Sequence, residues 1–351
     1  VQTIAELARQ LGRDVKLMEV CGTHTMVAFR TGLRQLLPAS VTLTSGPGCP
    51  VCVTDTNYID AAIGLCRQSG VIVATFGDLL RVPGTQSTLE HERAAGADVR
   101  IVYSPSDALV LARECPSRRI VFLGVGFETT APTVAWTIWQ AHQENVQNFS
   151  ALCAHKTMPR AMEALLKDQQ IKIDGFMCPG HVSVVTGAGI YRFIGERYRI
   201  PCVVSGFEAW DMLKSIAMLL QQLVDGRAEV EIEYSRSVTE RGNVAAQRLM
   251  YEVFEPCDTS WRGIGTIAGS GLAIRPAYAA YDATRVFDVR FGAAHLNPAC
   301  RCGDVLRGLC TPLECKLFGR GCNPTHPVGP CMVSSEGACA AYYKYEARVA
   351  A

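Results

Sequence analysis

The stretch Arg119–Gln143, RIVFLGVGFETTAPTVAWTIWQAHQ, decides the fold class, because it reads as a buried strand, a short turn and an apolar-faced helix in succession. Upstream, Thr3–Leu11 sets Ile4, Leu7, Ala8 and Leu11 at helical spacing, and Val15–Cys21 follows as an apolar, strand-like run. The rhythm repeats with strand-like Val41–Ser45, Gly70–Phe76 and Asp98–Tyr103, separated by helix-like Tyr58–Arg67 and Asp107–Glu114. Downstream come strand-like Ser150–Cys153, Ile173–Cys178 and Pro201–Ser205, with helices expected at Thr133–Gln143, Pro159–Leu166 and Trp210–Leu223. Such alternation is the signature of parallel α/β sheets. It predicts two Rossmann-like α/β domains, residues 1–118 and 119–225, and a third region, 226–351, that opens with a strand in VEIEYSRSV and a helix at Asn243–Phe254.

The chain has 351 residues, 48% of them apolar, enough to bury large cores. Lys and Arg number 34 against 33 Asp and Glu, so no global basic field supports non-specific nucleic-acid binding. Charged residues at Glu6, Arg9, Arg13, Asp14, Lys16 and Glu19 interrupt any signal-peptide core, and no apolar run approaches the roughly 20 residues that cross a bilayer. The expectation is a cytoplasmic protein with neither nucleic acid nor membrane as partner.

Sixteen cysteines are unusual for a reducing compartment unless they bind metal, do redox chemistry or pack as small apolar groups. Three lie between Cys21 and Cys52 and seven between Cys300 and Cys339, so two sites are expected rather than one. CGTHT, Cys21–Thr25, ends the first strand, where open α/β sheets present functional groups; a buried strand cysteine beside a helix-capping histidine is the bland alternative. GPGCPVC, Gly46–Cys52, ends the next strand and aims Cys49 and Cys52 at one point. Its C-x-x-C spacing serves a redox disulfide or half of a zinc site, and a third thiol at Cys21 would complete a three-sulfur iron site.

Three further strand-end segments carry candidate cleft residues: Asp78 in FGDLLRVPG, Glu128 in GFETTAPT and His181 in CPGHVS. Helix capping and backbone hydrogen bonding are the competing roles for each. Gly124 and Gly126 lack the third glycine of a dinucleotide fingerprint, and no Walker sequence occurs. In the tail, Cys300, Cys315, Cys322 and Cys339 offer four thiolates for a [4Fe–4S] cluster, with Cys302, Cys310 and Cys331 interspersed. Zinc is the other candidate, although the paired knuckles of zinc ribbons are missing.

Taken together, CGTHT, GPGCPVC, FGDLLRVPG, GFETTAPT, PGHVS and LFGRGCNPTHPVGPCMVSSEGACAAYY resemble the HypD family of hydrogenase-maturation factors, from Cys21 to Tyr343. The resemblance implies a scaffold on which the Fe(CN)2CO unit of [NiFe]-hydrogenases is built, with a HypC-type chaperone as partner and a HypE-type protein as cyanide donor. It implies Cys21 as the leading iron ligand, Cys49 and Cys52 as thiol–disulfide partners or auxiliary ligands, and His181 and Glu128 lining the same cleft. It also implies a [4Fe–4S] cluster at Cys300, Cys315, Cys322 and Cys339. Two redox-capable cysteine sets in one chain suggest, as a hypothesis, that electrons pass from that cluster through the Cys49/Cys52 pair to the iron. GFEAWDML, Gly206–Leu213, departs from the family's usual GFEPLDIL but keeps Glu208 and Asp211. The competing functions are an iron–sulfur-dependent thiol–disulfide oxidoreductase and a non-catalytic binding module with structural zinc.

Overall fold

The computed structural model describes residues 1–294 and 296–346. Its strands are β1 (Val15–Glu19), β2 (Val41–Ser45), β3 (Val71–Thr75), β4 (Val99–Ile101), β5 (Arg119–Gly124), β6 (Phe149–Cys153), β7 (Gly175–Pro179), β8 (Cys202–Ser205), β9 (Val230–Ile232), β10 (Phe254–Trp261) and β11 (Gly265–Ile274). They form a five-stranded sheet in the order β2-β1-β7-β8-β9 and a four-stranded sheet in the order β4-β3-β5-β6, both wholly parallel, with an antiparallel β10–β11 hairpin. The mixed α/β class with two parallel sheets is thus as expected.

Strand period explains how the layers form. In β5, Ile120 and Phe122 join one apolar cluster while Val121 and Leu123 join another, since successive side chains leave opposite faces. In the five-stranded sheet, Val15, Leu17, Met177 and Val203 face outward under the helices Gln2–Leu11 and Ala209–Val224, whereas Met18, Phe176, Cys178, Cys202 and Val204 face inward. The inward residues of both sheets belong to one continuous cluster, so the sheets pack across a shared core. The outer face of the four-stranded sheet is covered by the helices Pro105–Glu114, Ala131–Gln143 and Val244–Val253. With both faces covered, the central strands β3, β5, β7 and β8 are almost wholly apolar, whereas the edge strands β2, β4 and β9 carry Thr42, Arg100 and Glu231.

Strand pairing does not follow chain order. β1 and β2 pair with β7 and its neighbours, while β3 and β4 join β5 and β6. A division at 118/119 would therefore cut between the paired strands β3 and β5. Apolar patterning does not say which strand lies alongside which, because a parallel crossover needs only a dozen or more residues and can be far longer. In each sheet the order reverses once, between β1 and β7 and between β3 and β5, and such reversals open crevices at the carboxyl ends of the strands. Among the described residues no helix is long and apolar enough to cross a membrane.

Candidate metal and redox site

β1 ends at Glu19, and Cys21 stands two residues on, as the N-cap of the helix Gly22–Arg30. Across the β1/β7 crevice, His181 sits in the first turn of Gly180–Thr186. The GPGCPVC loop closes over this corner. Gly22 N donates to Gly48 O at 3.1 Å, and a Cβ on Gly48 would lie 2.2 Å from Cys21 N, so glycine is required for the loop to approach. Cys49 and Cys52 form a disulfide with their Cα atoms 5.2 Å apart, and Cys49 Sγ also accepts from Cys52 N at 3.1 Å. Cys21 and the Cys49–Cys52 pair thus belong to one corner of the fold.

Beneath Cys21 lies a buried polar network. Glu19 accepts from Cys21 N at 3.2 Å and from the Thr25 hydroxyl, and burial pushes its carboxyl up to about 7 against those hydrogen bonds. Arg34 donates to Tyr342 Oη at 2.7 Å and to Ser45 Oγ at 3.3 Å, tying the last helix to β2. Burial, with Glu336 second, raises the Cys21 thiol to about 12. His24 is fully buried, shares a hydrogen bond with Gly206 O at 2.9 Å and is pushed down to about 4 by burial. The Phe207 ring stacks on His24 at 4.8 Å and on the more exposed His181 at 3.8 Å, linking the two imidazoles through one aromatic face. Asp211, bound by both Arg236 nitrogens, caps the helix that follows Phe207.

The tail cysteines converge separately. Cys302, Cys331 and Cys339 sulfurs all lie within 4.8 Å of one another. A small apolar cavity beside them is lined by Cys300, Cys302, Cys315, Cys322 and Cys339. The expected set of Cys300, Cys315, Cys322 and Cys339 therefore shares one cavity, but the tightest sulfur group draws in Cys302 and Cys331. Cys331 is held well below the ordinary thiol range by hydrogen bonds from Cys302 and Cys339, aided by the Cys339 and Ala338 amides that open the final helix. Cys322 Sγ accepts from Val328 N at 3.3 Å, the kind of amide contact that stabilises sulfur charge. A Cβ on Gly329 would come within 3.0 Å of Cys302 Sγ and 3.6 Å of Cys300 Sγ, so the bare glycine leaves room beside both sulfurs. An all-sulfur donor set in an apolar cavity with amide donors fits an iron–sulfur group or another soft metal.

The segment between Cys331 and Cys339 joins the two sites. Ser334 Oγ lies 3.4 Å from Cys49 Sγ, Thr23 donates to Glu336 at 2.8 Å, and Ser335 Oγ lies 3.4 Å from Asp78. Among the described residues Asp78 bonds to the corner through this segment alone, and its side chain is exposed. Sequence reading overlooked Ser334 and Glu336, although their position between two tail cysteines was a usable signal. Glu128 lies apart. Its Oε1 accepts from Met158 N at 2.9 Å at the start of Met158–Lys167, and it makes no hydrogen bond to the Cys21 or Cys49 segments among the described residues. Burial raises Glu128 to about 7, and its Oε2 has no partner.

Fold and site together define the class, a parallel α/β protein with a cysteine pair at one strand crevice and, next to it, a buried multi-cysteine group able to hold a metal. The comparisons narrow this class. The HypD family model, described as hydrogenase formation hypA family, matches residues 1–346. The chain is 47% identical over 351 residues to the hydrogenase maturation factor HypD of Rhodobacter capsulatus, covering 97% of this chain and 93% of the relative. It is also 47% identical to HypD of Escherichia coli (95% and 90% covered), and 42% identical to a putative hydrogenase expression/formation protein of Methanocaldococcus jannaschii (98% and 96% covered). The chain belongs to the HypD family of hydrogenase maturation factors.

Proposed function

We propose that the chain is the scaffold on which the Fe(CN)2CO unit is assembled, with Cys21 as the thiolate that receives the iron from, or shares it with, a HypC-type chaperone and a HypE-type protein delivering cyanide. The observation that carries this reading is the seating of Gly48 against the Cys21 backbone, which holds a lone thiol beside a disulfide at a strand crevice. Iron is the cargo here. Cys21 takes it up by shedding its thiol proton, and Glu19, hydrogen-bonded to the Cys21 amide, is a buried carboxylate able to accept a proton near neutral pH. Strong-field cyanide and carbonyl ligands favour an electron-rich ferrous centre, which a soft thiolate supports. His24 and His181, held through Phe207, border the corner as neutral imidazoles that accept or donate hydrogen bonds to incoming ligands.

Reducing the Cys49–Cys52 disulfide takes two electrons and two protons and yields two thiols. A [4Fe–4S] cluster held by four of the tail cysteines, with Cys300, Cys315, Cys322 and Cys339 as the primary set, would supply one-electron chemistry close to that pair. The formed disulfide also favours a second reading, an iron–sulfur-dependent thiol–disulfide oxidoreductase acting on a protein substrate. Anaerobic co-purification with a HypC-type partner tests the scaffold reading: infrared bands of iron-bound cyanide and carbonyl are expected, together with iron and labile sulfide. Cys49→Ser/Cys52→Ser should abolish the infrared bands and retain cluster absorbance. Undiminished bands in that variant, or their absence from the wild-type complex, would overturn the assignment. A cytoplasmic location accords with this role.

A further inference from the structure

A cleft of about 270 Å³ opens at the carboxyl end of β6, just past the Cys49–Cys52 loop in the chain, and no cysteine of either site lines it. Its wall runs from Thr54 and Asp55, which lead into the helix Thr56–Cys66, across Lys156 after β6 to Thr259 and Ser260 on β10. Lys156 is only 3% exposed and Asp55 7%. Although they line the same cleft, among the described residues they form no ion pair with each other and Lys156 Nζ donates to no acceptor. Nζ lies 5.8 Å from the centroid of the Trp261 ring. Asp55 Oδ2 is buried without a hydrogen-bond partner, although Asp55 is the N-cap of that helix and would ordinarily bond its first-turn amides. Asp258, also on the wall, is committed, accepting from Gly269 N at 2.9 Å.

Two buried, opposite charges held apart across a cavity are costly when left unsatisfied. A ligand with a single charge relieves one and leaves the other facing it. A ligand with both charges relieves both, and hydroxyls along the wall offer further hydrogen bonds. The volume falls below the roughly 300–1,000 Å³ of drug-sized sites, so the fit is to a small metabolite. We propose that this cleft binds a small zwitterion of the amino-acid class, its carboxylate at Lys156 Nζ and its ammonium at Asp55. Burial lowers Lys156 to about 8, with Asp55 opposing, as befits an amine awaiting an anionic partner.

Thermal melting and titration calorimetry of the full chain, with each standard amino acid as probe and acetate and ethylammonium as single-charge controls, test the assignment. At least one amino acid should raise the melting temperature, and acetate and ethylammonium should bind at least about tenfold more weakly, the loss of one charge-assisted contact. Asp55→Asn, nearly isosteric, and Lys156→Met should each weaken amino-acid binding by about tenfold or more. Absence of any amino-acid shift, equal shifts with acetate, or unchanged binding in folded Asp55→Asn would overturn it. Because the cleft shares no ligand with the cysteine sites, iron loading of Asp55→Asn should equal that of the wild type.

Discussion

Replacing Gly48 by alanine tests the corner on which the iron-handling reading depends. The new Cβ would stand 2.2 Å from Cys21 N, 2.4 Å from Cys21 Cα and 2.4 Å from Val20 C, all backbone atoms of a buried strand end. Carbon contacts are comfortable at about 3.5–4.0 Å, so the loop must retreat by more than an ångström or the strand end must move. If the loop stays, overpacking costs about 1–3 kcal/mol. If it moves, the 3.1 Å bond from Gly22 N to Gly48 O breaks, and a buried amide left unpaired costs about 1–3 kcal/mol. Either route predicts a destabilisation of about 2 kcal/mol in urea unfolding of the anaerobic protein, and the second also draws the Cys49–Cys52 pair away from Cys21. Gly64→Ala is the matched control: it lies inside the helix Thr56–Cys66, a Cβ there meets nothing within 4 Å, and it should stabilise by about 0.5–1 kcal/mol. Wild-type unfolding together with wild-type iron loading in Gly48→Ala would refute the reasoning, since the close approach would then carry no energy and no function.

Glu128 is raised to about 7 in the fold by burial, against about 4.5 unfolded, so its contribution is fully present below pH 4.5 and is lost as pH rises to 7. The loss amounts to ~3 kcal/mol, and Glu128→Gln, which keeps an acceptor for Met158 N, should flatten the urea-derived stability curve across that window; an unchanged slope refutes the assignment. His24 and His155 act in the opposite sense: burial lowers them to about 4 and about 3, so stability present above pH 6.5 falls as acid approaches those values, and His155→Gln should moderate the fall. Asp211→Asn removes the charged partner of Arg236 and should cost about 1.5–3 kcal/mol while loosening Phe207 between the two histidines, read as altered chemical shifts of both rings. Cys302→Ser and Cys331→Ser should lower iron and sulfide content after anaerobic purification, whereas Cys66→Ser, whose thiol bonds only Ile63 O, should not.

The strands were legible because burial on both faces leaves a signal that needs no partner information. β2 runs over Val41–Ser45 as read, and β5 ends at Gly124, where Val125–Glu128 turns toward the next helix. The β10–β11 hairpin was not legible, since its exposed residues alternate with half-buried ones and its apolar ends reach the cores only after folding. VEIEYSRSV yields a strand of only three residues, because Glu233 turns inward to accept from Gly206 N at 3.3 Å, a contact across 27 residues that local pattern cannot announce. The same limit governs the sites. A C-x-x-C loop can be read as a pair of thiols aimed at one point, because spacing and turn residues are local properties. Which of seven tail cysteines become neighbours depends on the packing of the Cys302–Leu306 and Ala338–Tyr345 helices, and the 4.8 Å group of Cys302, Cys331 and Cys339 emerges only there. The coupling of the two cysteine sites through Ser334 and Glu336 follows from that packing. Fixing Cys331 and Cys339 around a metal leaves the seven residues between them little freedom, so filling the tail site should also order the segment that touches Cys49 and Thr23.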